Sequence, residues 1–293
     1  MEIRHSLPAA DGHSIELFSW QPAAPARAVV QIAHGMGEHA RRYARLANAL
    51  AAQGIAVYAN EHRGHGEAAL RAHHKGELGP RGFPGLVADM VSVSDFAQAR
   101  HPGVPLLLLG HSMGSFAVKV YLLDHAARVA GAALTGTVAL DLAEAGNASA
   151  WKLADKAAAA PAVVRRTPFD WLSRDEAEVD AYIADPLCGF RLTVKSRQSM
   201  YAAYARTTDP AALRRIPSTL PMLFFVGEDD AMNRRLAYFD PLVQRFRDAG
   251  LTDISVRLYP GARHEVLNET NRDEVVADFV AWVERVLGQT PSS

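Results

Sequence analysis

Apolar residues recur along the chain with two periods. Residues 2–7 and 13–20 are short β-rich runs that flank Asp11-Gly12, a good turn pair, which predicts an antiparallel opening hairpin. The compact apolar runs at 28–33 (AVVQIA), 55–59 (IAVYA) and 105–109 (PLLLL) read as strands buried on both faces, as do 130–134, 222–226 and 254–259. Between them the period lengthens. Tyr43, Leu46, Ala47 and Leu50 fall at i, i+3, i+4 and i+7, one face of a helix that Gly54 closes. Further helices are expected over 86–100, 115–127 and 274–287, the last with Val275, Phe279, Trp282, Val283 and Val286 on its apolar side.

Strand–helix alternation of this kind predicts a mostly parallel sheet with helices on both faces. One region departs from it. Residues 138–206 contain no strand signal and are rich in alanine, aromatic and charged residues, with a helix-prone alanine run at 157–160. They read as a helical cap inserted between a first core segment, 1–137, and a second, 207–293.

The 293 residues hold 49% apolar and 22% charged residues, with 31 Lys plus Arg against 32 Asp plus Glu, so neither nucleic acid nor a strongly charged partner is indicated. The single cysteine, Cys188, excludes an internal disulfide and a zinc site built on several thiolates. The N-terminal stretch lacks a signal-peptide core, and no run is long enough to span a bilayer; a cytoplasmic enzyme is expected.

The chemistry starts at Gly110-His111-Ser112-Met113-Gly114, a G-x-S-x-G between a strand and a helix. A sharp strand-to-helix turn there raises Ser112 Oγ above the sheet's carboxyl edge and requires small residues on both sides. A serine needs a base, and the base an orienting acid. Among twelve histidines, His264 in PGARHEVLNE leaves the carboxyl end of the 254–259 strand near Ser112. His111 is a neighbour whose side chain diverges at the turn. His5, His13, His101 and His125 are read as surface residues, and His73 and His74 as a loop pair. Asp230, in VGEDDAMN after the 222–226 strand, is the expected acid, ahead of the solvated Glu228 and Asp229 and of Asp141. The order Ser112, Asp230, His264 is that of the α/β-hydrolase fold. Backbone N–H groups of Met113 and Met36 are the expected oxyanion donors, supported by His34, Gly35, Gly110 and Gly114 in the two turns.

His62 and His65, three apart in EHRGHGE with Glu61 and Glu67 nearby, have superficial metal-ligand spacing but no matching cluster elsewhere, so no metal is assigned. Gly35 and Gly37 do not extend into a dinucleotide-binding glycine pattern, and no cofactor is expected.

The segments HGMGEHARRY (34–43), RGHG (63–66), GHSMGS (110–115), GEDD (227–230) and GARHEVLNE (261–269) resemble the monoacylglycerol lipase and lysophospholipase group of α/β-hydrolases, the serine aminopeptidase-like family. The cap segment FDWLSRDEAEVDAYIADPLCGF (169–190) is also similar to its bacterial lysophospholipase-like members. The resemblance covers nearly the whole chain. It implies the same triad and oxyanion donors, no cofactor, and cleavage of glycerol or related lipid esters with the acyl chain under the cap. Glu61 and Ala68 stand where the group usually has Asp and Ser, a departure within a supporting loop.

The expected activity is hydrolysis of carboxylic esters through an acyl-enzyme on Ser112. A short-chain carboxylesterase or an aminopeptidase-like amidase would use the same triad, the latter with cap acids such as Glu144, Asp155, Asp175 and Glu176 holding a free amine. A non-catalytic receptor has no need of an aligned base. The cap residues Trp151, Leu153, Phe169, Trp171, Leu172, Tyr182, Phe190, Met200, Tyr201 and Tyr204 suit an acyl pocket or transient contact with a lipid surface, although most are assigned to packing.

Overall fold

Along the strand Leu106–His111, successive leucines serve opposite faces. Leu106 and Leu108 join one apolar core, and Leu107 and Leu109 the other. A strand buried on both faces presents no polar side, which is why its sequence reads as an unbroken apolar run. The computed structural model describes residues 2–145 and 166–289. Trp151, Leu153, Asp155, the alanine run at 157–160 and the last four residues lie outside these, as does the side chain of Glu144.

Eight strands form one sheet: β1 (Glu2–Pro8), β2 (Ser14–Trp20), β3 (Ala28–Ala33), β4 (Ile55–Asn60), β5 (Leu106–His111), β6 (Gly131–Thr135), β7 (Met222–Gly227) and β8 (Ile254–Tyr259). Their order is β1-β2-β4-β3-β5-β6-β7-β8. β1 and β2 pair antiparallel with each other, as do β2 and β4, and every other pair is parallel. The strand order reverses at β3. The carboxyl ends of β3, β5, β7 and β8 therefore open onto one edge, where α/β sheets place their ligands.

Among the described residues the helices are α1 (Ala44–Ala52), α2 (Gly66–Arg71), α3 (Gly82–Arg100), α4 (Met113–His125), α5 (Leu140–Ala145), α6 (Glu176–Ala184), α7 (Val194–Tyr204), α8 (Pro210–Leu213), α9 (Asp240–Asp248) and α10 (Arg272–Gln289). Two boundaries differ from expectation for clear reasons. α3 starts one turn earlier, because Pro84 in its first turn lacks only an N–H that has no helical partner there. α4 starts directly after Ser112, and β5 runs on to His111, so the serine is the whole of the turn.

Between β6 and β7 the described residues contain helices and turns without a strand, and they grip the core beneath. Tyr182 Oη donates to Gly37 O (2.8 Å), and the Gly189 N–H donates to the same carbonyl (2.9 Å). Met200 and Tyr204 are buried in the main core. None of the helices described is long and apolar enough to cross a membrane.

Candidate active site

Ser112 has φ 51° and ψ −118°, a conformation that non-glycine residues rarely occupy. The chain enters it from β5 and leaves into α4 so abruptly that neighbouring backbones nearly touch. A Cβ on Gly114 would lie 2.0 Å from Ala33 O, and one on Gly110 would lie 2.7 Å from Gly114 O. Both are distances no side chain tolerates, so the two glycines of the motif are required by close approach. The Ser112 N–H donates to Thr135 O at 3.0 Å, which anchors the turn to the end of β6.

His264 and Asp230 arrive from the two strands beyond. Asp230 sits in the turn after β7, where its Oδ1 accepts the Met232 N–H at 2.8 Å. Its Oδ2 lies 2.9 Å from His264 Nδ1. A carboxylate can only accept, so the proton belongs on Nδ1 and the lone pair on Nε2. The Asp170–Arg174 segment holds the histidine loop from outside. The His264 N–H reaches Trp171 O (3.4 Å), the Glu265 N–H reaches Leu172 O (2.8 Å), and the Trp171 ring lies 4.9 Å from the imidazole. Ser112, Asp230 and His264 are 8%, 1% and 2% exposed, so the three lie beneath the surface.

Ser112 and His264 line one cavity of about 180 Å³, together with Met36, Phe169, Trp171 and Phe190. No hydrogen bond joins Ser112 to His264 in this conformation among the described residues. Apo catalytic pairs often show this looseness and tighten only around substrate.

Burial pulls the His264 imidazole down, but the charge and hydrogen bond of Asp230, with Glu265 and Glu38 behind, leave it above its ordinary value. His111 behaves oppositely. Its ring lies 4.9 Å from that of His264, and burial followed by the charge of His264 pushes it down to about 3. It is a neutral wall of the site and not a competing base.

The loop after β3 curls over the serine. The Gly35 N–H donates to Glu38 Oε1, and the Gly37 N–H to His65 Nε2 at 3.2 Å. Between them the Met36 N–H has no acceptor among the described residues, nor does the Met113 N–H at the start of α4. His34 supports the loop from below, with Nδ1 donating to Gly35 O (2.7 Å) and Nε2 accepting the His62 N–H (3.0 Å). His65 repeats the pattern, with Nδ1 donating to Arg63 O at 2.9 Å. The rings of His34 and His62 lie 4.2 Å apart, and burial holds His62 and His65 at about 3 and about 4. Both ring nitrogens of His65 are thus committed to backbone, which removes it as a ligand partner for His62. Glu61 is buried beneath the same loop, its Oε2 accepting the Ala40 N–H at 3.3 Å, and burial raises it to about 8.

Of the other candidates, Asp141 is bound to Arg245 by two hydrogen bonds (3.0 and 2.7 Å) and does not reach His264. Asp229 is exposed and Glu228 half-buried. His5, His13, His101 and His125, expected at the surface, are half-buried, and His5 bonds Ser19 at 2.9 Å. Asp175 caps α6 and pairs with Arg272 at 2.6 Å, and Glu176 lies 3.7 Å from Arg166. Neither lines the cavity at Ser112. The cluster His39, Asp185 and Cys188 presents three metal-ligand atoms within 4.8 Å, but His39 Nε2 and Asp185 Oδ2 already pair at 2.9 Å, joining the loop after β3 to the residue that follows α6.

One feature of the site escapes sequence reading. Arg42 is nearly buried between Glu265 (2.6 and 2.8 Å) and Glu38 (3.0 Å), with Tyr43 Oη donating to Glu38 at 2.9 Å. The signals are the i, i+4 spacing of Glu38 and Arg42 and a carboxylate directly after His264. The Glu265 partner, 223 residues from Arg42, is visible only in the fold.

A family model described as serine aminopeptidase, S33, matches residues 24–271. The chain belongs to that family. The monoacylglycerol lipase of Mycolicibacterium smegmatis is 31% identical over 95% of this chain and 96% of its own. The human monoglyceride lipase is 29% identical over 94% of this chain and 89% of its own. Among solved structures, a thermostable carboxyl esterase from Bacillus coagulans in complex with glycerol superposes with a TM-score of 0.86 at 23% identity, covering 98% of this chain and 99% of its own. A soluble variant of the Saccharomyces cerevisiae monoglyceride lipase gives 0.77 at 20% identity, with 100% and 96% covered. This S33 chain thus has the α/β-hydrolase fold expected of it.

Proposed function

We propose that the chain is a serine hydrolase of carboxylic esters whose substrates are monoacylglycerol-type lipids. The observation that carries this is His264, hydrogen-bonded to Asp230 behind it, sharing an aromatic-walled cavity with a serine held in a strained strand-to-helix turn. Relatives bearing the name monoacylglycerol lipase over nearly their full length support the lipid part of the reading.

His264 Nε2 takes the proton of Ser112 Oγ as the oxygen attacks the ester carbonyl. The oxyanion is received by the Met36 and Met113 N–H groups, both without a competing acceptor among the described residues. Collapse returns the His264 proton to the leaving alcohol, and water then repeats the cycle on the acyl-enzyme. Asp230 keeps the Nδ1–H tautomer and stabilises the imidazolium. An aminopeptidase would need an uncommitted carboxylate near the serine to hold the substrate amine. The two carboxylates in the cavity wall, Glu38 and Glu265, are both bound to Arg42, which favours the ester reading.

The test is initial rates on esters from acetyl to palmitoyl, a monoacylglycerol and an aminoacyl amide, with Ser112→Ala alongside. The expected result is a maximum on medium or long monoacyl esters, abolished by several orders of magnitude in the variant. A maximum at acetyl would assign a small-ester hydrolase. Activity retained in Ser112→Ala would overturn the nucleophile.

A further inference from the structure

Helix α4 buries an amine that the acyl-transfer steps do not use. Lys119 is completely buried and has no carboxylate partner among the described residues. Lysines are seldom found so deep unless paired, because the ammonium loses its hydration. Burial, followed by the charge of Arg245, holds this one well below the usual lysine range. Its Nζ donates to Thr137 Oγ1 (3.0 Å) and to Val138 O (3.1 Å), while the Phe116 and Tyr204 rings lie 4.7 and 4.9 Å away. A neutral amine has two N–H groups, matching the two oxygens present.

The same oxygens lead to the nucleophile. Thr137 Oγ1 is 2.9 Å from Ser115 Oγ, and Ser115 Oγ is 2.6 Å from Ser112 O. Ser115 and Lys119 stand one helical turn apart on one face of α4. Ser115 has a single hydroxyl proton. With that proton on the Ser112 carbonyl, the Thr137 hydroxyl must supply the one between the two side chains, and Lys119 supplies the one to Thr137. The result is a directed chain of donors from amine to hydroxyl to hydroxyl to carbonyl, in which each bond polarises the next. The residue at its end is the one with φ 51° and ψ −118°, a conformation that persists only where its surroundings over-determine it.

We propose that Lys119 is a positioning residue for the reaction, acting through Thr137 and Ser115 on the Ser112 carbonyl to hold the strained backbone that presents Ser112 Oγ and the Met113 N–H to the substrate. The bond to Val138 O ties the same amine to the start of the 138–206 segment, so the turn at Ser112 and the entry to that segment share one anchor. This inference rests on Ser112 being the nucleophile.

The test compares Lys119→Met, Thr137→Val and Thr137→Ser with the wild type. The measurements are the rate of Ser112 labelling by a fluorophosphonate, kcat and KM on a monoacyl ester, and the melting temperature. The expected result is about a ten-fold fall in labelling rate and kcat for Lys119→Met and Thr137→Val, with KM little changed. Thr137→Ser, which keeps the hydroxyl, should restore the rate, and Lys119→Met should melt no lower than wild type because a desolvated amine has been removed. Labelling of both variants within two-fold of wild type would overturn the proposal. So would a rate loss that tracks a lowered melting temperature with Thr137→Ser no better than Thr137→Val. If Lys119→Met does not fold, the Thr137 pair decides alone. Wild-type protein that fails to label at Ser112 would overturn the nucleophile as well, which separates the two failures.

Discussion

Holding Ser112 outside the ordinary backbone regions costs on the order of 1–3 kcal/mol, and the residues around it show what offsets that cost. Its N–H is taken by Thr135 O, and its carbonyl accepts the Ser115 N–H (2.9 Å) as well as the Ser115 hydroxyl. The proposed base, His264, is tuned by two opposing effects. Burial favours neutral His264, while Asp230 favours the cation and prevails. Only the neutral imidazole can take the serine proton, so kcat/KM should rise with pH through a value above the ordinary histidine range. Asp230→Asn removes the anion and leaves burial in control. The acid limb should then move to lower pH, while the maximal rate falls by orders of magnitude as the Nδ1–H tautomer loses its acceptor. The pH profile of kcat/KM reads both effects, and a limb that stayed in place or moved upward would contradict this account.

At the scale of elements, the candidate active site is a meeting of loops whose strands set their positions but not their interactions. The 3-10 turn Ala40–Tyr43 carries Arg42 into a buried gap between the loop after β3 and the loop after β8. Arg42→Met would leave two buried carboxylates facing each other without a cation, which should destabilise the protein by about 3–5 kcal/mol. Chemical denaturation measures this, and a loss below about 1 kcal/mol would show that the carboxylates find other partners. This contact also marks where sequence reading stops. The strands were legible because burial on both faces writes continuous apolar runs, and Ser112, Asp230 and His264 because each directly follows or closely trails one. Helix α9 was not. Its buried Leu242, Val243 and Phe246 are scattered among charges and preceded by Pro241, so no long apolar face announces it. Arg42, Glu265 and Lys119 were illegible for a different reason. A charged residue looks solvated in sequence unless the partner that buries it is known, and those partners come from distant segments.

Across the whole molecule, buried titratable groups make stability depend on pH in both directions. His62, His65 and His111 are neutral in the fold, at about 3, about 4 and about 3, against an ordinary histidine value of about 6.5. Their folded values are depressed, so their contribution is complete above pH 6.5 and is lost as the pH falls towards those values, where the unfolded chain binds protons the fold refuses. Glu61 acts in the opposite sense. It is raised to about 8 from 4.5, so its contribution is complete below pH 4.5 and is lost as the pH climbs through 8. Near pH 5 the three histidines outweigh the one carboxyl by roughly two protons, a slope of about 3 kcal/mol per pH unit in favour of higher pH. Near neutrality the two effects balance. Stability should therefore fall steeply from pH 7 towards pH 5 and change far less between pH 7 and pH 8.5, where the loss from Glu61 is opposed by the depressed Lys119 amine, whose contribution grows as the pH rises. Melting temperatures across that range measure it, and Glu61→Gln should raise the alkaline side relative to wild type by removing a buried carboxyl that ionises there. A melting temperature equal at pH 5 and pH 7 would mean that the histidines beneath the loop after β3 take up protons without unfolding, and that this loop opens to solvent on its own.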